Sequence, residues 1–239
     1  MIRNTVTSPD GKTIVFSALG YIWTKKLPKG TPKRLTNSSD FEFANLFSPD
    51  GKDIVYVTWN DENLGNIYKT SINGGNATQL NSTKGIFRTP DYSNDGSKIV
   101  YIKEAGNSDQ GYTYSKKTGI YVMDSNGNNT KFILKEGTNP VFNQDGNRII
   151  YQTGGAYFGD LTKTLKSVDF SGKDEKTLVS SKYGNRLVLS PDNKWIAFSN
   201  LHKAYIGPLP KSGKTLNFDL KKGAKTFVPL FRRYQKMLV

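Results

Sequence analysis

Short apolar runs alternate with polar, turn-like sequences along most of the chain. Five runs of β-branched and aromatic residues each follow a polar turn directly, at residues 13–16, 53–56, 98–101, 148–151 and 195–198. Runs of this length and composition are typical of strands that are buried on both faces. The pattern therefore predicts regularly spaced β-strands.

The turn before each run has nearly the same sequence. SPDGK occurs at residues 8–12 and again at 48–52, and the related sequences SNDGS, NQDGN and SPDNK begin at Ser93, Asn143 and Ser190. The spacings between successive copies are 40, 45, 50 and 47 residues. Strand-rich repeats of roughly 40 to 50 residues indicate propeller blades, because a single four-stranded sheet cannot bury both of its faces alone.

The chemistry of the turn explains why it recurs. Proline presets φ for a type I turn, the aspartate bonds back to the backbone, and the fourth residue takes a left-handed conformation. That fourth residue is glycine in four copies and Asn193 in the last, and asparagine tolerates this conformation best after glycine. All five copies keep the aspartate, which we interpret as structural rather than catalytic: Asp10, Asp50, Asp95, Asp145 and Asp192.

Two further strands follow each buried run and complete a four-stranded meander. The chain is therefore predicted to be an all-β β-propeller of five four-stranded blades, either a small closed ring or an incomplete member of the six- or seven-bladed class. The propeller is expected to span residues 1–222, with a basic, atypical tail at 223–239. The expected blades are 1–37, 40–81, 85–136, 138–180 and 184–220.

These repeats resemble a known family, the TolB-like propeller repeat, which also occurs in tricorn-protease propellers and in front of peptidase and amidohydrolase domains. The resemblance lies in the succession of SPDGK, a strand, IW or IY, a glycine-rich turn and KRLT. It is closer still to the amino-terminal propeller of secreted bacterial amidohydrolase-type proteins, through SALGYIWTKKLPKGTPKRLT at 17–36 and KGIFRTPDYSNDG at 84–96. It covers residues 2–222.

The resemblance implies a non-catalytic scaffold or binding module, the propeller part of an amidohydrolase-like envelope protein. A free-standing binder of a peptide, a glycan or an envelope protein is the alternative, and a propeller hydrolase is a more distant one. The histidine-rich hydrolase domain of the amidohydrolase-type proteins has no counterpart in this sequence. A periplasmic or secreted location rests on the resemblance alone, because no signal peptide opens the chain.

Enzymatic signatures are mostly missing from the sequence. The chain has no cysteine and one histidine, His202, so it offers no multi-histidine or cysteine metal site. It has no P-loop, G-x-G-x-x-G or G-x-S-x-G sequence. We therefore expect no catalytic residue, no metal and no cofactor.

The net charge of +14 comes almost entirely from the two ends of the chain. Residues 1–36 carry seven Lys or Arg and one acid, residues 37–208 carry 19 and 18, and residues 209–239 carry eight and one. Because no nucleic-acid-binding motif accompanies the charge, we expect no nucleic-acid partner. No apolar run is long enough to predict a membrane span.

Blade topology indicates where a binding surface would lie. The turns between strands one and two are short and uniform, whereas the connections between strands two and three and between blades are long, variable and aromatic. Such loops on a rigid scaffold usually carry the binding residues. The candidate binding residues are Trp59, Asp61, Arg88, Tyr112, Tyr114, Tyr157 and Phe158. A protein or peptide partner is expected, a glycan is an alternative, and an open blade edge could pair two copies as a homodimer.

Overall fold

The computed structural model describes residues 1–106, 115–155, 161–182, 184–190, 192–200, 203–209, 215–218 and 228–229. Every regular element within these residues is a β-strand. None of the described residues belongs to a helix with the length and apolar character needed to cross a membrane. The chain folds as two compact units, Met1–Phe142 and Asn143–Val239.

The first three sheets each contain four strands in chain order and lie in the first unit. The first consists of β1 (Arg3–Thr7), β2 (Thr13–Ala18), β3 (Tyr21–Lys26) and β4 (Lys33–Arg34). The second consists of β5 (Phe41–Phe47), β6 (Asp53–Asn60), β7 (Leu64–Ser71) and β8 (Thr78–Gln79). The third consists of β9 (Ile86–Tyr92), β10 (Lys98–Glu104), β11 (Gly119–Asp124) and β12 (Lys131–Leu134).

The remaining strands form two further sheets. The fourth has the order β13 (Thr138–Phe142), β14 (Arg148–Gly154), β15 (Lys163–Asp169), β16 (Glu175–Ser181) and β20 (Leu216–Phe218). The fifth has the order β17 (Asn185–Leu189), β18 (Trp195–Asn200), β19 (Lys203–Pro208) and β21 (Val228–Pro229). The predicted all-β propeller of five meander blades is confirmed.

The end of the chain is arranged differently from the other repeats. Strand β20, inside the range 184–220 expected for the fifth blade, pairs in parallel with β16 of the fourth sheet. The fourth strand of the fifth sheet comes instead from the range expected to be a tail, since β21 pairs antiparallel with β19. Two-residue outer strands also close the first and second sheets, so a short fourth strand is not peculiar to the fifth.

The recurring turns adopt the geometry that their sequence predicts. Gly11 N donates to Ser8 O at 2.9 Å, and Gly51, Gly96, Gly146 and Asn193 make the same bond in their own copies. All five residues have positive φ, between 53° and 72°. Successive turns also contact each other, because a Cβ on Gly51 would lie 3.2 Å from Pro9 Cδ and one on Gly96 would lie 3.6 Å from Pro49 Cδ.

The hydrophobic core of the first unit lies between consecutive sheets. One cluster joins the first and second sheets through Val15, Ile22, Phe47 and Ile54. A second joins the second and third sheets through Val57, Ile67, Phe87, Tyr92 and Ile99. The second strands supply the most deeply buried residues, as their continuous apolar sequence predicts.

The first strands of the first three sheets each contain a bulge, and the first strand of the fourth sheet has the same unusual backbone. One non-glycine residue in each has positive φ: Asn4 (50°), Ala44 (52°), Thr89 (45°) and Asn139 (49°). Each lies four residues before the first residue of the turn. The register between the first and second strands shifts at this point in the first three sheets. The bulge is therefore a repeated feature of the blade, like the turn.

Candidate functional site

A cleft of about 620 Å³ opens in the first unit, at the strand ends remote from the recurring turns. We call these ends the loop face and the opposite ends the turn face. The principal lining residues of this bulge cleft are Arg3, Asn4, Phe41, Phe43, Arg88 and Thr89. Its volume is in the range of pockets that bind small molecules or peptide side chains.

Three of the bulges line the cleft. Asn4, Ala44 and Thr89 have no residue directly opposite them on the neighbouring second strand, because the register skips them. Bulges leave backbone groups without ladder partners and re-aim side chains, and they are frequent beside functional sites. A left-handed backbone is especially unfavourable for a β-branched residue such as Thr89. The cleft wall therefore contains strained backbone that ordinary pairing does not satisfy.

A buried asparagine fixes two of these bulges together. Asn45 is 3% exposed, and its Nδ2 donates to Asn4 O at 2.9 Å. Its Oδ1 accepts a hydrogen bond from Ser17 Oγ at 2.8 Å. These bonds join the first strand of the second sheet to the first two strands of the first sheet, so this part of the cleft is held rigidly.

Arg88 supplies a cation on the cleft wall. Its Nε donates to Glu104 Oε2 at 3.1 Å, and its guanidinium carbon lies 5.1 Å from the centre of the Phe43 ring. No described residue hydrogen-bonds its terminal nitrogens. The side chain is 45% exposed. Arg88 is thus oriented by one carboxylate and one aromatic ring, while its two outer nitrogens remain available to a ligand.

One rim of the cleft is apolar and exposed. Leu19 and Gly20 form the tight turn between β2 and β3 with φ of 54° and 83°. Leu19 is 78% exposed and Phe41 is 64% exposed. The Phe41 ring lies directly against Gly20, where an added Cβ would be 2.9 Å from Phe41 Cδ1. Large exposed apolar side chains beside a cleft are typical of contact surfaces for partners.

Glu42 is a buried carboxylate in the cleft wall. It is 2% exposed, and its Oε2 accepts hydrogen bonds from Ile22 N at 3.0 Å and from the Thr36 hydroxyl. Its Oε1 is buried and has no hydrogen-bond partner among the described residues. Burial raises the pKa of Glu42, an effect that the bonds from Thr36 and Ile22 oppose.

The structure places three of the predicted binding residues on or beside the loop face. Arg88 lines the cleft. Trp59 lies inside β6, rather than in the connection where the sequence placed it, and is opposite Phe41 in the strand register. Its Nε1 donates to Asp61 Oδ1 at 2.9 Å. Trp59 and Asp61 therefore form a pair next to the apolar rim, outside the principal lining of the cleft. Tyr112, Tyr114, Tyr157 and Phe158 lie outside the described residues, and so does His202.

Sequence reasoning did not identify Arg3, Phe41, Phe43 or Glu42 as site residues. A positional signal was available, because Arg3, Phe43 and Arg88 all stand five residues before the first residue of a recurring turn. No glycine in the sequence marks the bulge that turns these positions toward the cleft.

The turn aspartates make local hydrogen bonds. In four copies the carboxylate accepts a hydrogen bond from a serine hydroxyl two residues earlier, as Asp10 does from Ser8 at 2.6 Å. The corresponding pairs are Ser48 and Asp50, Ser93 and Asp95, and Ser190 and Asp192. These serine bonds are the main reason that the pKa of each of the four carboxyls is lowered.

The fourth copy of the turn uses different chemistry. Asn143 replaces the serine, and its Oδ1 accepts hydrogen bonds from Asn147 N at 3.0 Å and Arg148 N at 2.9 Å. One side-chain oxygen thus accepts both N–H bonds that a serine and an aspartate accept separately in the other copies.

Acidic and histidine side chains do not converge in groups of three or more as a metal site requires, so far as the described part of the chain extends. The bulge cleft contains two arginines, exposed aromatic surface, a buried carboxylate and backbone at which the strand register shifts. Groups of this kind can bind a polar or charged ligand.

Comparison with known families gives one match along most of the chain. The family model described as the TolB beta propeller domain matches residues 5–206. Among curated proteins, the Tol-Pal system protein TolB of Francisella tularensis subsp. mediasiatica (strain FSC147) is 35% identical over 78 residues. That stretch is 33% of this chain and 16% of the relative.

Two groups of solved structures have a similar fold. A putative TolB from Agrobacterium tumefaciens superposes with a TM-score of 0.69 at 16% identity, covering 97% of this chain and 80% of that one. An oligogalacturonate lyase from Vibrio parahaemolyticus superposes with a TM-score of 0.67 at 12% identity, covering 95% and 64%. At such identities the likeness establishes the fold alone, since one fold hosts many functions.

Proposed function

The chain belongs to the TolB beta propeller domain family, and from this premise we propose that it is a non-catalytic binding module. Its bulge cleft takes an extended, acidic segment of a protein partner. The sequence-based resemblance to TolB-like repeats is confirmed by the family match.

The observation that carries this proposal is the hydrogen bonding of the Arg88 guanidinium. Its Nε is already bonded to Glu104 and its guanidinium carbon lies 5.1 Å from the centre of the Phe43 ring, whereas the two terminal nitrogens have no hydrogen-bond partner among the described residues. A planar, pre-oriented guanidinium with two free donors matches a carboxylate in the bidentate geometry that arginine favours. Arg3 on the same cleft adds a second positive charge.

The rest of the cleft supports an extended polypeptide as the ligand. Leu19 and Phe41 provide apolar contact area on the rim. The bulged first strands are edge strands of their sheets, so their outer backbone groups are also available. A segment that combines acidic side chains with main-chain donors would satisfy all of these groups.

The biological setting is part of the proposal. The name of the curated relative assigns that protein to the Tol-Pal system, and we propose a periplasmic or secreted location for this chain as well. It acts either as the propeller part of an amidohydrolase-like envelope protein or as a free-standing binder of an envelope protein, a peptide or a glycan. An adjacent reading frame that encodes a histidine-rich hydrolase domain would favour the first role.

A peptide selection tests the proposal directly. A display library of random peptides is selected on the immobilised protein, and the affinity of enriched peptides is measured by fluorescence polarisation for wild type and variants. We expect enrichment of Asp and Glu. Arg88→Ala should weaken binding about ten-fold, since one charge-assisted bidentate pair contributes about 1–2 kcal/mol.

The matched control is Lys52→Ala, which removes a cation of the turn face whose side chain is 81% exposed. It should leave peptide affinity unchanged. Enriched peptides without acidic residues, or peptides that bind Arg88→Ala as tightly as wild type, would contradict the proposed site.

A further inference from the structure

One residue of the third sheet differs from its counterparts in the second and fourth copies by a single oxygen atom. The residue just before each recurring turn is Thr7, Phe47, Phe142 or Leu189 in four copies and Tyr92 in the third. The ring of Tyr92 packs in the core between the second and third sheets and is 6% exposed, like the ring of Phe47 at 6%. The ring therefore has the packing role of a phenylalanine, and the hydroxyl is additional.

That hydroxyl is buried without a partner. Tyr92 Oη makes no hydrogen bond to any described residue. Burial raises the pKa of Tyr92, and the carboxylates of Asp53 and Asp50 raise it further, so the phenol stays protonated at neutral pH. Buried polar groups in folded proteins are nearly always bonded, and an exception calls for an explanation.

Tyr92 lines a pocket of about 400 Å³ on the turn face. We call it the turn pocket. It lies where the second turn meets the third, and three carboxylates contribute to its wall, from Asp50, Asp53 and Asp95. Asp50 and Asp95 hold their turns through Oδ1, whereas the carboxylate of Asp53 has neither a hydrogen bond nor an ion pair with any described residue.

Asp53 is also particular to this copy. The corresponding residues after the other turns are Thr13, Lys98, Arg148 and Trp195. The blade thus does not require an acid at this position. Asp53 and Tyr92, whose side-chain oxygens have no hydrogen bond or ion pair with a described residue, both stand where the repeat varies.

The charge of the turn pocket selects its ligand. Three carboxylates and one ammonium group, that of Lys69, line the pocket. Lys52 neutralises Asp50 through an ion pair of 3.3 Å, so the carboxylates of Asp53 and Asp95 leave the pocket with a net negative charge. In the part of the chain that the structure describes, no three acidic ligands converge as a divalent metal would need. We propose that the turn pocket binds an organic cation, an ammonium or guanidinium group, which donates N–H bonds to Asp53 and to Tyr92 Oη. The cation is an arginine or lysine side chain of a partner or a free polyamine.

This inference is independent of the proposed function. Arg88 and Tyr92 stand toward opposite ends of β9, so the bulge cleft and the turn pocket lie on opposite faces. One takes an anionic segment and the other takes a cation.

Titration of the ¹⁵N-labelled protein with four probes tests the inference by NMR. N-acetyl-arginine methylamide represents a partner side chain, spermidine represents a free polyamine, N-acetyl-citrulline methylamide is the neutral analogue, and CaCl₂ is the metal control. We expect saturable shifts of the amides of Tyr92, Gly96 and Ser125 with at least one organic cation. Whichever of the two organic cations binds more tightly identifies the source. The citrulline analogue and calcium should produce no saturable shift at these amides.

Two variants make the test specific. Tyr92→Phe installs the residue of the second and fourth copies, so the fold should be kept, and Asp53→Asn removes a carboxylate that holds no bond. Each should weaken cation binding about five-fold or more. Tyr205→Phe and Glu62→Gln make the same chemical changes outside the pocket and should have no effect. The inference is overturned if no organic cation gives a saturable shift, if the citrulline analogue or calcium binds equally well, or if Tyr92→Phe and Asp53→Asn bind like wild type.

Discussion

Asp91 allows a quantitative test of the strand arrangement. It stands two residues before the third turn, where the other first strands carry Val6, Leu46, Val141 and Val188. Its carboxylate accepts hydrogen bonds from the main chain of Phe142 and Tyr92. Burial outweighs these bonds and raises the pKa of Asp91 from 3.8 to about 6.

The sign of the effect on stability follows from proton linkage. An acid with a raised pKa in the folded protein holds a proton that the unfolded chain has already released, so the free energy of unfolding rises as the pH falls through 6. This contribution is complete below the unfolded pKa of 3.8 and is lost as the pH rises above 6. One pKa unit corresponds to about 1.4 kcal/mol, so lowering the pH from 7 to 5 should stabilise the fold by about 1 kcal/mol through Asp91 alone.

The perturbation is Asp91→Asn, which keeps an oxygen acceptor for the two N–H groups and cannot ionise. At pH 7 the variant should be as stable as wild type or more stable. Urea unfolding is measured at pH 5, 6 and 7, and the unfolding free energy of the variant minus that of wild type should fall by about 1 kcal/mol from pH 7 to pH 5. Glu42, whose pKa is also raised, is present in both proteins and cancels in this difference.

Two results would refute the reasoning. A difference between variant and wild type that does not change with pH would show that Asp91 titrates as an ordinary surface acid. The same would follow from a ¹³C titration of the side-chain carboxyl that gave a midpoint near 4. Glu62→Gln, a change in the exposed β6–β7 loop, is the control and should leave the pH dependence of wild type unaltered.

Three further predictions concern other features of the fold. Ser48→Ala should lower the free energy of unfolding, measured in urea, by about 1–2 kcal/mol, because the hydroxyl donates to Asp50 and accepts from Asp53 N. An unchanged unfolding midpoint would contradict this role of the serine, and Ser82→Ala in an exposed loop is the control. Thr89→Asn should raise the free energy of unfolding by about 0.5–1 kcal/mol, because Asn4 and Asn139 adopt the same left-handed backbone. The control Thr78→Asn in β8 should not stabilise the protein, and a lower stability of Thr89→Asn would exclude backbone strain at this position. Deletion of residues 226–239 should lower the Tm by several degrees in calorimetry, because β21 pairs with β19; a constant Tm would mean that this pairing contributes nothing.

The blades could be predicted from the sequence because each of their signals is local. A turn of five residues and the apolar run after it specify one hairpin, and the spacing of the copies specifies the repeat. Arg88 was also named from the sequence as a candidate, in a connection between blades; the structure places it inside β9, and its role in binding stays a prediction. These inferences needed only neighbours along the chain.

The remainder depends on contacts between distant residues. Tyr92 and Phe47 occupy equivalent positions in the repeat, and the sequence alone suggests the same packing role for both. Only the folded structure shows that the Tyr92 hydroxyl has no partner among the described residues and lies near carboxylates. The parallel addition of β20 to the fourth sheet is likewise a long-range pairing that no local pattern marks. Phe41 resembles an ordinary core residue by its type, yet it is 64% exposed on the rim of the cleft.

The bulge connects the core to the bulge cleft. In a regular strand, residues five apart point to opposite faces, yet Phe87 and Tyr92 are both buried, and so are Glu42 and Phe47. One additional residue between the members of each pair is required to bring both of them to the buried side.

This additional residue adopts the strained left-handed backbone at Ala44 and Thr89, at a cost of about 1–3 kcal/mol each. The additional residue also shifts the alternation of buried and exposed side chains, which leaves Arg88 and Thr89 exposed between two buried positions of β9. The burial pattern of β9 therefore both creates the strain and places the arginine in the cleft. A variant that removed the bulge by deleting Thr89 should lose the core packing of Phe87 together with peptide binding, rather than either property alone.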